Sequence, residues 1–307
     1  MMKLSKKNKD RIFIFLMLLL PLTHFAVFWI YQNYSSILLA FQDEFTMEWT
    51  LDNFSRFFRQ LAREWNMENG TLRYCIENTL ITAGMRIFVS MPLVVFASFV
   101  LFKKYFGHMF FRVVFYLPGI FGTVICATMT SYVLDATGPL VQWGSALGSK
   151  WDCEVLQSGR LWNYKSARLT YFISDLSIAG ATVLRLTGAL QKIPGDLFDV
   201  GRMEGTGIFN EFWHIALPCC WSTVGIMWLM TFAQVWGDFS RVQLLTGGAY
   251  NTNNFAYYLF ANTLSATTGE TSYNFPAAIG LILTAVIVPV TLFLRWLSGK
   301  IVPEVEF

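Results

Sequence analysis

The chain has 307 residues, of which 54% are hydrophobic, 17% aromatic and only 14% charged. A soluble domain carries about 25% charged residues, and the mean hydropathy here is +0.45, so the composition is that of an integral membrane protein. A net charge of +3 excludes the strongly basic footprint of a nucleic-acid-binding protein.

Lys3, Lys6, Lys7, Lys9 and Arg11 make a basic tail over 1–11. A signal peptide also begins this way, but the apolar run that follows is too long and lacks a small-x-small cleavage site, so it reads as an uncleaved anchor. Crossing a bilayer takes roughly 20 apolar residues. Six segments qualify: 12–33, 75–102, 108–134, 169–190, 219–238 and 274–297. Backbone groups in lipid must be satisfied within their own segment, so each is predicted as a helix; the alternation of a membrane β-strand is absent. The expected fold is therefore an all-α polytopic membrane protein with six transmembrane helices. Residues 34–74 form an extramembrane segment, 75–297 a core that includes a polar loop at 191–218, and 298–307 a tail. Trp29, Tyr31, Trp151, Trp162 and Trp296 fall where interfacial aromatic anchors are expected.

Six spans put both termini on one side, and the Lys/Arg distribution selects which. With the termini inside, the inner segments hold twelve Lys/Arg and the outer segments nine, although the outer segments are nearly twice as long. The density places both termini and the 191–218 loop in the cytoplasm. The five cysteines show no metal-ligand spacing. Cys126, Cys219 and Cys220 lie in or beside apolar runs as ordinary buried residues, which leaves Cys75 and Cys153 as the pair able to meet in an outer compartment. His24, His108 and His214 are scattered, and no H-E-x-x-H motif occurs, so no metal site is expected.

The 191–218 loop is polar and glycine-broken between two apolar segments. Pro194 ends the preceding helix. Asp196 is placed to cap the next one, with Asp199 in its first turn. Gly205 and Gly207 interrupt it. Phe209, Phe212 and Trp213 then recur three and four apart as one apolar face, bordered by Asp199, Glu204 and Glu211. Such a face suits docking into a partner's groove. The alternative is a helix lying on lipid headgroups; that would carry Lys/Arg on its polar face, and this one is acidic.

The series Asp199-Val200-Gly201-x-x-Glu204-Gly205-Thr206-Gly207, then Phe212, then Ile215-Ala216-Leu217-Pro218, resembles the EAA loop of ABC-transporter permeases, E-A-A-x-x-D-G-A followed by I-x-L-P. Leu190-Gln191-Lys192-Ile193-Pro194, Leu245-Thr246-Gly247-Gly248, Phe111-Arg112-Val113, Leu117-Pro118 and Glu77-Asn78-Thr79-Leu80 are similar to the carbohydrate-importing, MalF-like branch. The resemblance runs from about residue 75 to the C-terminus. It departs from the family pattern at Asp199, which is one methylene shorter than Glu, at Val200 and Gly201 in place of two alanines, at Glu204 in place of Asp, and at Thr206 in place of Ala. The resemblance implies a non-catalytic permease in the bacterial cytoplasmic membrane. It implies an ATPase-coupling surface made of Asp199, Val200, Gly201, Glu204, Gly205, Phe209, Phe212, Leu217 and Pro218. Asp199 would take the role of the acid that pairs with a basic group on the ATPase, and Gly205 that of the turn. A second permease subunit, two ATP-binding subunits and an extracytoplasmic solute-binding protein are the implied partners, with a saccharide as solute. No G-x-x-x-x-G-K-[ST] phosphate loop occurs in the chain, so ATP and Mg would be bound by the separate ATPase subunits and this chain needs no cofactor of its own.

Polar groups inside spans face a bundle interior or a water-filled cavity. Ser174, Asp175 and Ser177 in the fourth span, Thr231, Gln234, Trp236 and Asp238 in the fifth, and Arg86 in the second are the candidate solute path; helix–helix hydrogen bonding is the alternative for each hydroxyl. Arg86 either pairs with Asp175 or meets an anionic saccharide. A self-contained secondary transporter would show inverted repeats and broken helices at matched positions, and no internal repeat is visible. A membrane enzyme would need an acid/base or metal cluster near one interface, and none stands out.

Overall fold

The computed structural model describes residues 6–44, 46–67, 70–105, 107–134, 138–139, 142, 167–168, 171–172, 174, 180–269 and 272–301. Helix dominates them, and the strand-like pairing among them is an isolated antiparallel bridge between Gln42 and Trp49. The helices are α1 (Lys6–Phe25), α2 (Gln32–Ala40), α3 (Asp52–Trp65), α4 (Thr71–Met85), α5 (Met91–Phe102), α6 (His108–Ile120), α7 (Thr123–Leu134), α8 (Gly180–Leu190), α9 (Gly195–Met203), α10 (Ile208–Glu211), α11 (Leu217–Val235), α12 (Ser240–Leu245), α13 (Phe255–Thr267) and α14 (Asn274–Ile301).

Three helical runs are long and apolar enough to cross a membrane: Phe13–Ala40, Thr71–Phe102 and Asn274–Lys300. Two bent pairs raise the number to five if each makes one span: His108–Ile120 with Thr123–Val133, bent by 108°, and Ile208–Cys219 with Trp221–Val235, bent by 78°. Of the expected span at 169–190, the described helix is α8. The straight helix expected over 108–134 is therefore corrected to a broken one. Pro118 removes a backbone donor near the end of α6, Phe121 turns extended (φ −72°, ψ 127°), and the chain restarts as a helix after Gly122.

Two runs contain a π-helical turn just ahead of a proline. Arg86–Ser90 precedes Pro92, and Phe212–Ala216 precedes Pro218, so the proline stands two residues beyond the π turn in both. Proline cannot donate to the carbonyl four residues back and its ring crowds that carbonyl; the wider π turn relieves the clash while the helix continues. In the first case the Ile87 carbonyl accepts the Trp228 indole N–H at 3.3 Å, which ties α11 to the π turn of the second span.

The chain divides into two compact units, residues 1–60 with 262–285 and residues 61–261 with 286–307. In the first, Asn53 Nδ2 donates to the carbonyls of Ala40 and Gln42, and Asn274 Nδ2 also donates to Gln42. The Arg56 guanidinium lies 4.8 Å from the centre of the Phe275 ring. The apolar side chains of residues 13–31 remain exposed.

The core of the larger unit joins Met91, Val94, Val95, Phe99 and Leu101 of α5 to Val183, Leu186 and Leu190 of α8 and to Ala216, Cys220, Val224 and Met227 of the 212–235 run. Phe198 and Phe212 enter the same cluster. Small residues permit the close crossings, as membrane packing requires. Ser98 Oγ donates to Val94 and reaches the Val183 carbonyl at 3.4 Å, and a Cβ on Gly225 would stand 2.6 Å from Ser298 Oγ.

The Glu77-Asn78-Thr79-Leu80 motif of α4 has a structural task. Asn78 Nδ2 donates to the carbonyls of Asn251 and Asn253, both at 2.8 Å, and its Oδ1 accepts from Arg168 Nε at 2.9 Å. Thr79 Oγ1 accepts the N–H of Phe255, the first residue of α13. The 246–254 turn, with Gly247 and Gly248 at positive φ, is thereby held against α4. Cys75, one turn earlier, is a fully buried thiol within this packing; Cys153, with which it could have met in an outer compartment, lies outside the described residues.

Two stability predictions follow from these contacts. Gly225→Leu forces α11 away from Ser298 and should lower the thermal unfolding midpoint of the purified protein, at a cost of about 1–3 kcal/mol. Asn78→Leu strands two carbonyls at about 1–3 kcal/mol and should make the 246–254 turn cleavable by protease, where the wild type resists.

Candidate coupling segment and polar path

The 191–218 loop has an exposed tip and a buried root. Helix α9 begins after Pro194, which is the N-cap; Asp196 makes no capping hydrogen bond and stands in the first turn, while Asp199 falls one turn later than its sequence position suggested. The helix closes on Gly205 at φ +72°, the left-handed conformation that glycine adopts without strain. Thr206 secures this turn, since both its N–H and its Oγ1 reach the Gly201 carbonyl, at 3.1 and 2.7 Å. Gly201 is buried, and a Cβ there would stand 2.7 Å from Ile215 Cδ1 and 3.1 Å from Thr206 Oγ1. The two departures from the alanine pattern at 201 and 206 are thus one local solution: no side chain at 201, and a hydroxyl at 206 that uses the freed space.

Phe209, Phe212 and Trp213 line one apolar groove with Phe96, on which Phe209 stacks at 5.7 Å, but they are unevenly buried. Phe209 and Trp213 are exposed, but Phe212 is 6% exposed and packs on Phe96 and Phe99 at ring separations of 5.4 and 5.5 Å. Phe212 stands at the start of a π turn, Phe212–Ala216, that leads into α11. Phe212 is therefore an anchor and not a surface contact. Glu211 is likewise removed from the acidic border. It is buried, its Oε2 lies 2.7 Å from Lys103 Nζ, and its Oε1 lies 3.8 Å from Arg202 Nε.

The tip carries Asp199, Val200, Glu204, Gly205 and Phe209 on its exposed surface, together with Leu197 and Met203, which sequence reasoning did not single out. Leu197, Val200 and Met203 recur at three-residue spacing, and Met203 is 88% exposed. That spacing was legible; it was masked by the stronger aromatic pattern that follows. Asp199 lies 3.4 Å from Arg202 Nη1 across an exposed surface, an ion pair of little energetic weight. Leu217 and Pro218 are half-buried where the loop enters α11.

The polar-path residues are partly brought together. Arg86 Nη2 and Asp238 Oδ2 form an ion pair at 2.6 Å, with side-chain exposures of 13% and 28%. Asn254 Nδ2 donates to the Asp238 carbonyl and so fixes the end of the fifth span. The Trp236 ring meets Phe232 edge-on, and its buried Nε1 has no hydrogen-bond partner among the described residues. Thr231 Oγ1 donates to the Met227 carbonyl of its own helix, and Gln234 is exposed. Ser174 Oγ is buried and donates to Tyr171. Asp175 and Ser177, and with them the proposed Arg86–Asp175 pair, lie outside the described residues. Among the described residues no group of three or more His, Cys, Asp or Glu could hold a metal ion.

No family model matches the chain. It is 28% identical over 141 residues to the probable ABC transporter permease protein YurN of Bacillus subtilis, covering 45% of this chain and 47% of that one. It is 26% identical over 196 residues to the multiple sugar-binding transport system permease protein MsmF of Streptococcus mutans, covering 63% and 64%. It is 23% identical over 296 residues to the polygalacturonan/rhamnogalacturonan transport system permease protein YteP of Bacillus subtilis, covering 88% and 85%. The matched stretch thus spans about half the length of YurN and under two thirds of MsmF. In fold, the chain superposes with a TM-score of 0.78 and 18% identity on a chain of a bacterial alginate ABC transporter, solved in complex with an alginate pentasaccharide-bound periplasmic protein; the match covers 98% of this chain and 99% of that one. In sequence the chain is thus similar to sugar ABC-transporter permeases, and in fold to a chain of an ABC importer.

Proposed function

We propose that the chain is a transmembrane permease subunit of an ATP-driven importer for an oligosaccharide, in the bacterial cytoplasmic membrane with both termini inside. It forms half of the translocation path and engages a separate ATPase through the 191–218 loop. The observation that carries this reading is the loop's construction. An exposed tip of Leu197, Asp199, Val200, Met203 and Glu204 stands on a root, Phe198 and Phe212, that is sunk among the spans. A tip that can be gripped and a root that cannot slip is what transmission of force into a membrane bundle requires. A second permease subunit, two ATP-binding subunits holding ATP and Mg, and an extracytoplasmic binding protein complete the assembly. The similarity to a permease of a polygalacturonan system and to an alginate importer supports a saccharide cargo.

Asp199 is the acid offered to the ATPase, because its pairing with Arg202 is exposed and easily exchanged. With Asp199→Ala, import into proteoliposomes should fall about tenfold while ATP hydrolysis continues; an unchanged ratio of solute moved to ATP hydrolysed would refute the role.

Arg86 is committed to Asp238, so its charge is not offered to the cargo. Arg86→Gln leaves Asp238 uncompensated inside the unit. Uptake of neutral and of acidic oligosaccharides should fall together, and Arg86→Gln with Asp238→Asn should recover both. Loss confined to acidic oligosaccharides would instead make Arg86 a cargo contact.

A further inference from the structure

Lys103 occupies a position that neither its sequence context nor the coupling surface accounts for. It is the C-cap of α5, at the end of the second span, where a cation complements the helix dipole. Its side chain does not snorkel outward. It is 5% exposed, and it reaches Glu211, itself 4% exposed, with 2.7 Å between Nζ and Oε2. The same ammonium lies 4.0 Å from the centre of the Phe198 ring and 5.5 Å from that of Phe99. Phe198 belongs to α9, the first arm of the loop, and Glu211 ends α10, in the second arm. Arg202, one turn beyond Phe198, leans on the other Glu211 oxygen at 3.8 Å. One buried cation of the second span thus touches both arms.

Burying two charges costs several kcal/mol each, and well-packed apolar side chains of the same volume would serve stability as well or better. What an apolar contact does not supply is direction. Two greasy surfaces slide by a fraction of a turn at little cost, whereas a buried cation and carboxylate that separate are each left uncompensated. The arrangement is therefore suited to fixing register. It also has a counterpart further along the same two helical runs: Arg86 of the second span pairs with Asp238 just beyond the end of α11. The run from 71 to 102 and the run from 208 to 235 are consequently fastened by an ion pair at two separated levels, with the Trp228–Ile87 hydrogen bond between them.

We propose that Lys103 and Glu211 are positioning residues that lock both arms of the 195–218 segment to the second span, so that the tip and the second and fifth spans move as one body. The consequence for transport rests on the permease reading; the lock itself does not, and the two are tested apart.

Spin labels introduced at exposed Met203 and exposed Phe88 report the distance from the tip to the second span in the full chain in lipid nanodiscs. The wild type should give one narrow distance distribution. Lys103→Met and Glu211→Gln should each broaden it about twofold or more, and Lys103→Arg, which keeps the charge, should stay narrow. The double variant Lys103→Met with Glu211→Leu packs without buried charge and keeps the fold, yet should remain broad. A narrow distribution in Glu211→Gln, or in the double apolar variant, overturns the proposal. In the complete transporter, with maltotriose and trigalacturonate as probes, Glu211→Gln should hydrolyse ATP within about twofold of wild type while import falls about tenfold. Parallel loss of hydrolysis and import, the mark of a merely structural defect, also overturns it. A wild-type complex that imports neither probe would count against the saccharide reading and leave the spin-label result to judge the lock.

Discussion

The buried pair between Lys103 and Glu211 is the constraint on which the larger unit turns. It joins the end of the second span to a loop that begins more than eighty residues later and returns as the start of the fifth span. Its cation also faces the Phe198 ring, so three segments meet at one charge. Once that charge is buried, the surrounding aromatic side chains have little freedom. Phe198 covers the ammonium, Phe212 fills the space beside Phe99 and Phe96, and Leu197, Val200 and Met203 of α9 are left to the surface. The division into an anchored root and an exposed tip is a consequence of this placement.

The π turns serve the same end by a different route. The turns over Arg86–Ser90 and Phe212–Ala216 each precede a proline that would otherwise break a long helix, and each lets the run continue. At the turn over Phe212–Ala216, Phe209 and Phe212 both pack on Phe96, and Phe212 reaches further in, to Phe99. In the second span, the π turn exposes the Ile87 carbonyl, which the Trp228 indole then satisfies. Local strain at a proline is thus converted into a contact between spans.

The polar residues of the spans divide in a similar way. Arg86 and Asp238 neutralise each other, and Thr231 and Ser174 donate to neighbouring carbonyls. Trp236 Nε1 is buried with no partner among the described residues, although burying such a donor is costly. The motif Glu77-Asn78-Thr79 of α4 is structural, because its asparagine and threonine are spent on the 251–255 backbone.

Composition and hydropathy by themselves determined a helical membrane protein, since a chain this apolar and this poor in charge can satisfy its backbone in lipid only through helices. The order of short motifs from residue 75 onward carried the resemblance to carbohydrate ABC permeases, and Gly205 marked the turn of the 191–218 loop. Tertiary structure alone decided which aromatic residue of the loop is buried, that Glu211 is an internal partner, and that Arg86 is matched by Asp238. Hydrophobic periodicity reports which residues share a helix face, but not how deeply the neighbouring helices bury each of them. The partner of a buried charge, moreover, is chosen by elements over a hundred residues apart, whose meeting no local pattern encodes. The bend between α6 and α7 was likewise decided by the folded chain: the apolar run over 108–134 reads as one helix, and Pro118 and Gly122 flank the place where it turns by 108°.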